Sequence, residues 1–217
     1  MRVFSALVAV LCPVLVSAVP VAGNSTDAGP PSDDITIQKV TTSGSGCPKK
    51  TVSVSISDDR TVVTLGFDEF QTQTGRGFRD SDRDKTCIIR ITLHYPNGFS
   101  FAVLDATFHG FAQLDSGVNG SFSSTFSFGD DNSRRCATNS TLRGGGQYQN
   151  GSVFTEHDTI PTAEVVRSAC GKNEDLVIRT RINLNSNNST ANGILTDDDA
   201  TFALTQQVHI GWNTTCK

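Results

Sequence analysis

The sequence predicts an all-β protein, an antiparallel β-sandwich of about eight strands stabilised by disulfides. Three observations predict it. From Ile35 onward, short runs of β-branched and aromatic residues alternate with polar ones, the period of a strand with one buried face. Clusters of Gly, Asn, Asp and Pro separate these runs, and helical periodicity is nearly absent. Cysteines lie far apart, at Cys47, Cys87, Cys136, Cys170 and Cys216, behind an amino-terminal stretch that reads as an export signal.

In that signal, residues 1–18, Arg2 precedes the apolar run VFSALVAVLCPVLV, and small residues follow at Val16-Ser17-Ala18. The run is too short to anchor the chain, and no second apolar stretch is long enough to span a bilayer, so export without a membrane span is expected. Residues 19–34, VPVAGNSTDAGPPSDD, have nothing to bury and are expected to form a disordered leader. Residues 35–217 are then one domain, long enough for a single core.

Within that domain Val52, Val54 and Ile56 alternate with polar residues, DDR turns the chain, and Val63, Leu65 and Phe67 alternate again, predicting a hairpin. Cys87, Ile89, Ile91 and Leu93 point one way, with Arg90, Thr92 and His94 opposite. PNG at residues 96–98 predicts a turn into a return strand, FSFAVLDATFHGFAQLD. Phe122, Phe126 and Phe128 line a further strand. Leu176, Ile178, Ile182 and Leu184 line another, with Arg179 and Arg181 outside. In the last strand Phe202, Leu204, Val208, Ile210 and Trp212 alternate with Thr201, Ala203, Thr205, Gln207, His209 and Gly211, and Gln206 interrupts the apolar face. Residues 129–160 are the least regular, and GDDNSRR, RGGGQYQNG and TEHDTIP predict long loops.

Composition narrows the function. Removing Arg2 from the 18 Lys and Arg leaves 17 against 22 Asp and Glu, with both signs interspersed, which argues against nucleic acid and anionic membranes as partners. Cys12 leaves with the signal. Cys47 with Cys87 is the preferred pair, two of Cys136, Cys170 and Cys216 form another, and one cysteine is left over. Seven sequons, at Asn24, Asn119, Asn139, Asn150, Asn187, Asn188 and Asn213, predict a glycoprotein in a eukaryotic host.

Motifs for catalysis are sparse. Asp68 and Glu69 are adjacent, and neighbours on a strand point to opposite faces, so they cannot be a glycosidase pair by themselves. Asp80, Asp82 and Asp84 match the opening of a calcium loop. Lys85 and Ile91 then stand where that loop needs glycine and glutamate, so a charge-balanced loop with Arg79 and Arg83 is expected and no metal. His94, His109, His157 and His209 lack metal-ligand spacing; His94 and His209, on outward strand faces, are the two that would share a surface. Glu156, His157 and Asp158, beside the glycine-rich loop, offer a base with an orienting acid, or hydrogen-bonding groups for a ligand. No Gly-x-Ser-x-Gly elbow supplies a nucleophile. Tyr148 is the ring placed for ligand contact, whereas Trp212 continues an inward set and is expected to be buried. No cofactor is implied.

The segments GSGCPKKTVSVSISDDRTVVTLGFDEF, LHYPNGFSFAVLDATFHGFAQLDSGV, HDTIP, SACG and QVHIGW together resemble a family of secreted, mostly fungal proteins known as domain of unknown function 4360. The resemblance spans about residues 35–216 and implies a fungal, extracellular, single-domain protein; members occur among candidate effectors of plant-associated fungi. Arg167 and Ala169 stand where members commonly carry an aromatic residue and a proline. The expected function is that of an extracellular binding or effector module recognising a glycan or a host protein. Its surface is expected at residues 143–160 and the acidic turn at 79–85, with an unglycosylated sheet face as the rival location. A secreted hydrolase acting on wall polysaccharide is one alternative. A structural wall or matrix glycoprotein tied through the odd cysteine is the other.

Overall fold

The alternation that begins at Ile35 folds as two antiparallel sheets packed face to face. The computed structural model describes residues 29–130, 134–171, 173–188, 190–196, 204–214 and 216. The signal at 1–18, the leader to residue 28, Asn24, the group Asp197–Asp199 and the start of the last strand at Phe202 lie outside these. Among the described residues no helix is long and apolar enough to cross a membrane.

In chain order the strands are β1 (Thr36–Ser43), β2 (Val52–Ile56), β3 (Val62–Phe67), β4 (Thr72–Thr74), β5 (Asp84–His94) and β6 (Ser100–Leu114), followed by β7 (Val118–Phe128), β8 (Arg135–Arg143), β9 (Ser152–Thr159), β10 (Glu174–Ser186), β11 (Gly193–Leu195) and β12 (Leu204–Asn213). The small sheet has the order β1-β5-β10-β7-β8. In the large sheet β2 pairs β3, β3 pairs β12, and β12 pairs one side of β6, whose other side takes β9. Short β4 and β11 continue the lines of β3 and β12.

Burial follows the alternation. Cys87, Ile89, Ile91 and Leu93 of β5 are fully buried, as are Phe122 and Phe126 of β7 and Ile178 and Ile182 of β10. They meet Val63, Leu65, Phe101, Phe108 and Val208 of the large sheet in one cluster. Rings cross the interface: Phe108 stacks on Phe122 at 5.2 Å, and Phe101 meets Phe128 edge-on at 5.1 Å. Each such buried ring contributes about 2 kcal/mol by area.

Three expectations need correction. The turn at Pro96-Asn97-Gly98 makes no hairpin: β5 belongs to the small sheet and β6 to the large. Both hydrogen-bonding edges of β5 are already occupied, by β1 and β10, so the chain arches across the sandwich. Residues 129–160 are no long loop either, because β8 and β9 lie within them. Their inward positions include Thr138, Ser140, Glu156 and Asp158, which hides the apolar alternation. Ser140 Oγ donates to Asp158 Oδ2 at 2.7 Å, joining the edges of the two sheets there. Residues 29–34, assigned to the leader, are placed against the sandwich: Pro30 is buried, and Ser32 O accepts a hydrogen bond from Arg60 Nε at 3.0 Å. Trp212 is half-buried beneath them, with its Nε1 donating to Arg60 O at 2.8 Å.

Cys47 pairs with Cys87, and Cys170 pairs with Cys216. Cys136, on an inward position of β8, is the odd thiol; it is buried, and burial pushes its pKa up. A thiol in that position is neither reachable nor ionised, which removes the chemistry of a covalent matrix tie. Thiol-reactive dye should therefore leave the native protein unlabelled and label one cysteine per chain after unfolding without reductant. Fast native labelling or reducible dimers would contradict this.

Candidate functional site

The outward positions of the large sheet form a polar face, which follows from the alternation of its strands. Toward one end β6 and β9 turn the paired Phe111 and Val153 outward; the polar positions are Asp105, Thr107 and His109 on β6, Thr205, Gln207 and His209 on β12, and Thr155, His157 and Thr159 on β9. Register sets them in rows. Asp105 lies between Thr159 and His209, Thr107 between His157 and Gln207, and His109 between Thr155 and Thr205.

A bulge shapes one end. His209 pairs with Asp105 and Ile210 with Val103, so Leu104 is an extra residue in β6. It is pushed outward, 38% exposed, and lies over Gly211, where an added Cβ would come within 2.8 Å of it. Leu104 and Asp105 thus emerge side by side into a cavity of about 330 Å³, walled by Ile160, Val165 and Arg167 and edged by Thr159 and Thr162.

Asp105 is the centre of the polar array. Its Oδ1 accepts a hydrogen bond from His209 Nδ1 and lies 3.7 Å from His157 Nδ1. A carboxylate only accepts, so His209 turns its Nδ1–H toward Asp105 and leaves Nε2 facing outward for a ligand. His157 also shares hydrogen bonds with Thr107 Oγ1 at 3.0 Å and Thr159 Oγ1 at 3.3 Å, and His109 shares one with Thr155 Oγ1 at 2.9 Å. The side chains are tied to one another before any ligand arrives, which limits the ordering cost of binding. On the described outward positions of β2, β3, β6, β9 and β12 Asp105 is the one carboxylate, so these strands do not pair two acids as a glycosidase does.

The residues singled out in the sequence distribute differently. His157 belongs to this face. Glu156 and Asp158 alternate with it on β9 and point toward the sandwich interior, so the triplet does not converge. Tyr148 is only 7% exposed and belongs to the core, which removes it as a surface ring. His94 lies on the small sheet, where Nδ1 hydrogen-bonds Asn173 Oδ1 at 2.8 Å, and so shares no surface with His209. Asp68 and Glu69 are exposed beyond the end of β3.

Each aspartate of the acidic turn has its own cation. Asp80 pairs with Arg83, Asp82 lies 3.5 Å from Arg79 Nε and also accepts from the Arg79 backbone N at 2.9 Å, and Asp84 accepts from Arg181 Nε at 2.8 Å. The Arg79 amide holds the Asp82 carboxyl below its usual range, and Arg181 does the same for Asp84. Among the described residues no group of three His, Cys, Asp or Glu is arranged to hold a metal ion. Asn119 and Asn139 stand exposed on the outer face of the small sheet, Asn150, Asn187 and Asn188 on connections, and half-buried Asn213 at the end of β12.

Asp105, Thr107 and His109 were not recognised from the sequence as candidates. Their spacing at alternate positions in DATFHG carries the signal, once the strand's inward face is known.

A sequence-family profile described as "Domain of unknown function (DUF4360)" matches residues 33–216. An "Uncharacterized secreted protein" of Arthroderma benhamiae is 36% identical over 183 residues, which cover 84% of this chain and 73% of that protein. Two of the solved structures that overlay on it are TmCBM61 in complex with β-1,4-galactotriose and a family 11 carbohydrate-binding module from Clostridium thermocellum in complex with a mixed-linked tetrasaccharide. The first is 9% identical with a TM-score of 0.23, covering 82% of this chain and 89% of that one. The second is 10% identical with a TM-score of 0.26, covering 84% and 92%. Overlays this loose carry no ligand across.

Proposed function

The chain is a secreted member of the family described as Domain of unknown function (DUF4360), and from that premise we propose that it is an extracellular carbohydrate-binding module whose ligand lies across the outer face of the large sheet. The observation that carries this is the array around Asp105, in which His157, His209, Thr107 and Thr159 set donors and acceptors on adjacent strands. Neighbouring strands lie roughly 4.8 Å apart, so the array is a flat field of polar groups suited to a ligand rich in hydroxyls.

A protein partner would need an apolar anchor at the centre of its footprint. Among the described residues Leu104 and Val153, at 38% and 49% exposure, are the exposed large apolar side chains of this face and stand at its margins, while the outward Val62 and Phe111 are half-buried. Glycans at Asn119 and Asn139 would cover the small sheet and leave this face open. Asn213 is four residues from His209 along β12, roughly 13 Å away. In this reading residues 1–18 are the export signal and residues 35–217 act as one binding domain.

The test is a glycan array probed with the secreted protein and with Asp105→Ala. A hydrogen bond to a charged group contributes about 1.5–3 kcal/mol, so the substitution should weaken binding at least about tenfold while the circular dichroism spectrum stays unchanged. Equal binding by the two proteins would remove the face from the account.

A further inference from the structure

We infer that the chain carries a second carbohydrate-binding site, built on Phe78, that takes a neutral hexose residue and makes the module bivalent; the ligand class rests on the carbohydrate reading above. Phe78 is 47% exposed, a large ring left in water on an otherwise polar surface. Two successive turns hold it. Phe78 N donates to Gly75 O at 3.3 Å across a tight turn, in which Gly75 and Gly77 have φ of +130° and +94°. A 3-10 turn at Asp80–Asp82 follows directly, locked by the hydrogen bond from Arg79 N to Asp82 Oδ2. The backbone that carries the ring is thus fixed, which lowers the ordering cost of presenting it.

The ring borders a cavity of about 300 Å³, whose other walls are Gln71, Gln73, Asp82 and Lys85. Gln73 is held by the pairing of β4 with β11, and the Gln71 backbone N donates to Glu69 O at 3.1 Å. No described residue occupies the side-chain amides of Gln71 and Gln73 or the Lys85 ammonium with a hydrogen bond. Together they offer donors, acceptors and one carboxylate around an aromatic plane. A pyranose matches this pattern: one face of C–H groups for the ring and an edge of hydroxyls for the amides.

Placement adds the functional consequence. Gln73 pairs with Ile194, which pairs with Gln113 of β6. Gln113 lies eight residues from Asp105 along the same strand, roughly 26 Å. Two sites at that separation on one rigid sheet would grip a polysaccharide at two points, or hold two chains together.

Calorimetric titration of the secreted protein with trisaccharides of β-1,3-glucan, β-1,4-glucan, β-1,4-mannan and chitin tests this, because such ligands are too short to bridge the sites. A binding trisaccharide should show two equivalents per chain. Phe78→Ala and, separately, Gln73→Ala should each remove one equivalent and leave the affinity of the other within about twofold. Asp105→Ala should remove the complementary one. On insoluble polymer each single-site variant should bind roughly a hundredfold more weakly than the parent. If Phe78→Ala and Gln73→Ala leave stoichiometry and affinity unchanged, the second site is overturned and the sheet face stands. If Phe78→Ala abolishes all binding and Asp105→Ala changes nothing, the sheet face falls and the Phe78 site stands. No binding to any of the four sugars overturns both.

Discussion

Replacing Cys47 and Cys87 together by alanine should lower the unfolding free energy by about 4 kcal/mol, the cost expected when a loop of this length is no longer closed in the unfolded chain. The bridge spans 40 residues and fastens the segment after β1 to β5. Between its ends lie the whole β2–β3 hairpin and β4, so the bridge restrains strands of both sheets. The second bridge, Cys170 to Cys216, spans 46 residues and has nearly the same entropic worth. The two are not equivalent in packing. Cys47 and Cys87 are buried in the core, whereas Cys170 and Cys216 are half-exposed. Removing the first bridge also leaves a void, so it should be the costlier loss. Urea unfolding of the two double variants measures both effects. A loss below about 1 kcal/mol for Cys47→Ala/Cys87→Ala would contradict the assignment.

Gln206→Leu should destabilise by about 2–3 kcal/mol although it makes the core more apolar. Gln206 is fully buried on the inward side of β12. Its Nε2 donates to Ser124 Oγ at 3.0 Å, Thr180 Oγ1 donates to its Oε1 at 2.9 Å, and Ser124 and Thr180 share a hydrogen bond of 2.8 Å. These bonds close a ring among β12, β7 and β10, so the polar groups of two facing sheets satisfy one another without water. Leucine breaks the ring and strands a hydroxyl proton on Thr180 in a dry interior. The triple variant Ser124→Ala/Thr180→Val/Gln206→Leu removes every orphan and should recover most of the loss. Thermal unfolding of the single and triple variants separates the two cases. A single variant as stable as the parent, or a triple variant no better than the single, would refute the ring's role.

That glutamine illustrates what the sequence disclosed. The alternation of β12 was plain enough to mark Gln206 as the exception, but its partners Ser124 and Thr180 come from another sheet, and no local pattern links them. The inward sets of β5, β7 and β10 were legible for the same reason that they are buried: Val, Ile, Leu and Phe recur at every second position. β8 and β9 were not legible, because edge strands bury less and here turn Thr138, Ser140, Glu156 and Asp158 inward. The arch at Pro96-Asn97-Gly98 looks locally like a hairpin, and only the occupied edges of β5 exclude one.

The site was half legible. His157 was singled out as one of three neighbours in a loop, yet on a strand those neighbours face opposite ways, and its working partners are Asp105, Thr107 and Thr159. Asp105 reaches the surface beside Leu104 only through a bulge, a departure from the alternation by which strands are read. Tyr148 lies in a glycine-rich stretch of loop character, and its burial follows from packing that such a stretch does not announce.

The claim on which the account depends is that ligand is met on the outer face of the large sheet. Amide chemical-shift mapping of the secreted protein, titrated with a soluble wall oligosaccharide selected on the array, addresses it most directly. The account predicts perturbations concentrated at Asp105, Thr107, His157 and His209, with a second, separate group at Gln73, Phe78 and Lys85, while the inward positions of the large sheet and the outer face of the small sheet around Asn119 and Asn139 stay nearly still. Perturbations centred on the small sheet around Asn119 and Asn139, or no response to any carbohydrate, would contradict it.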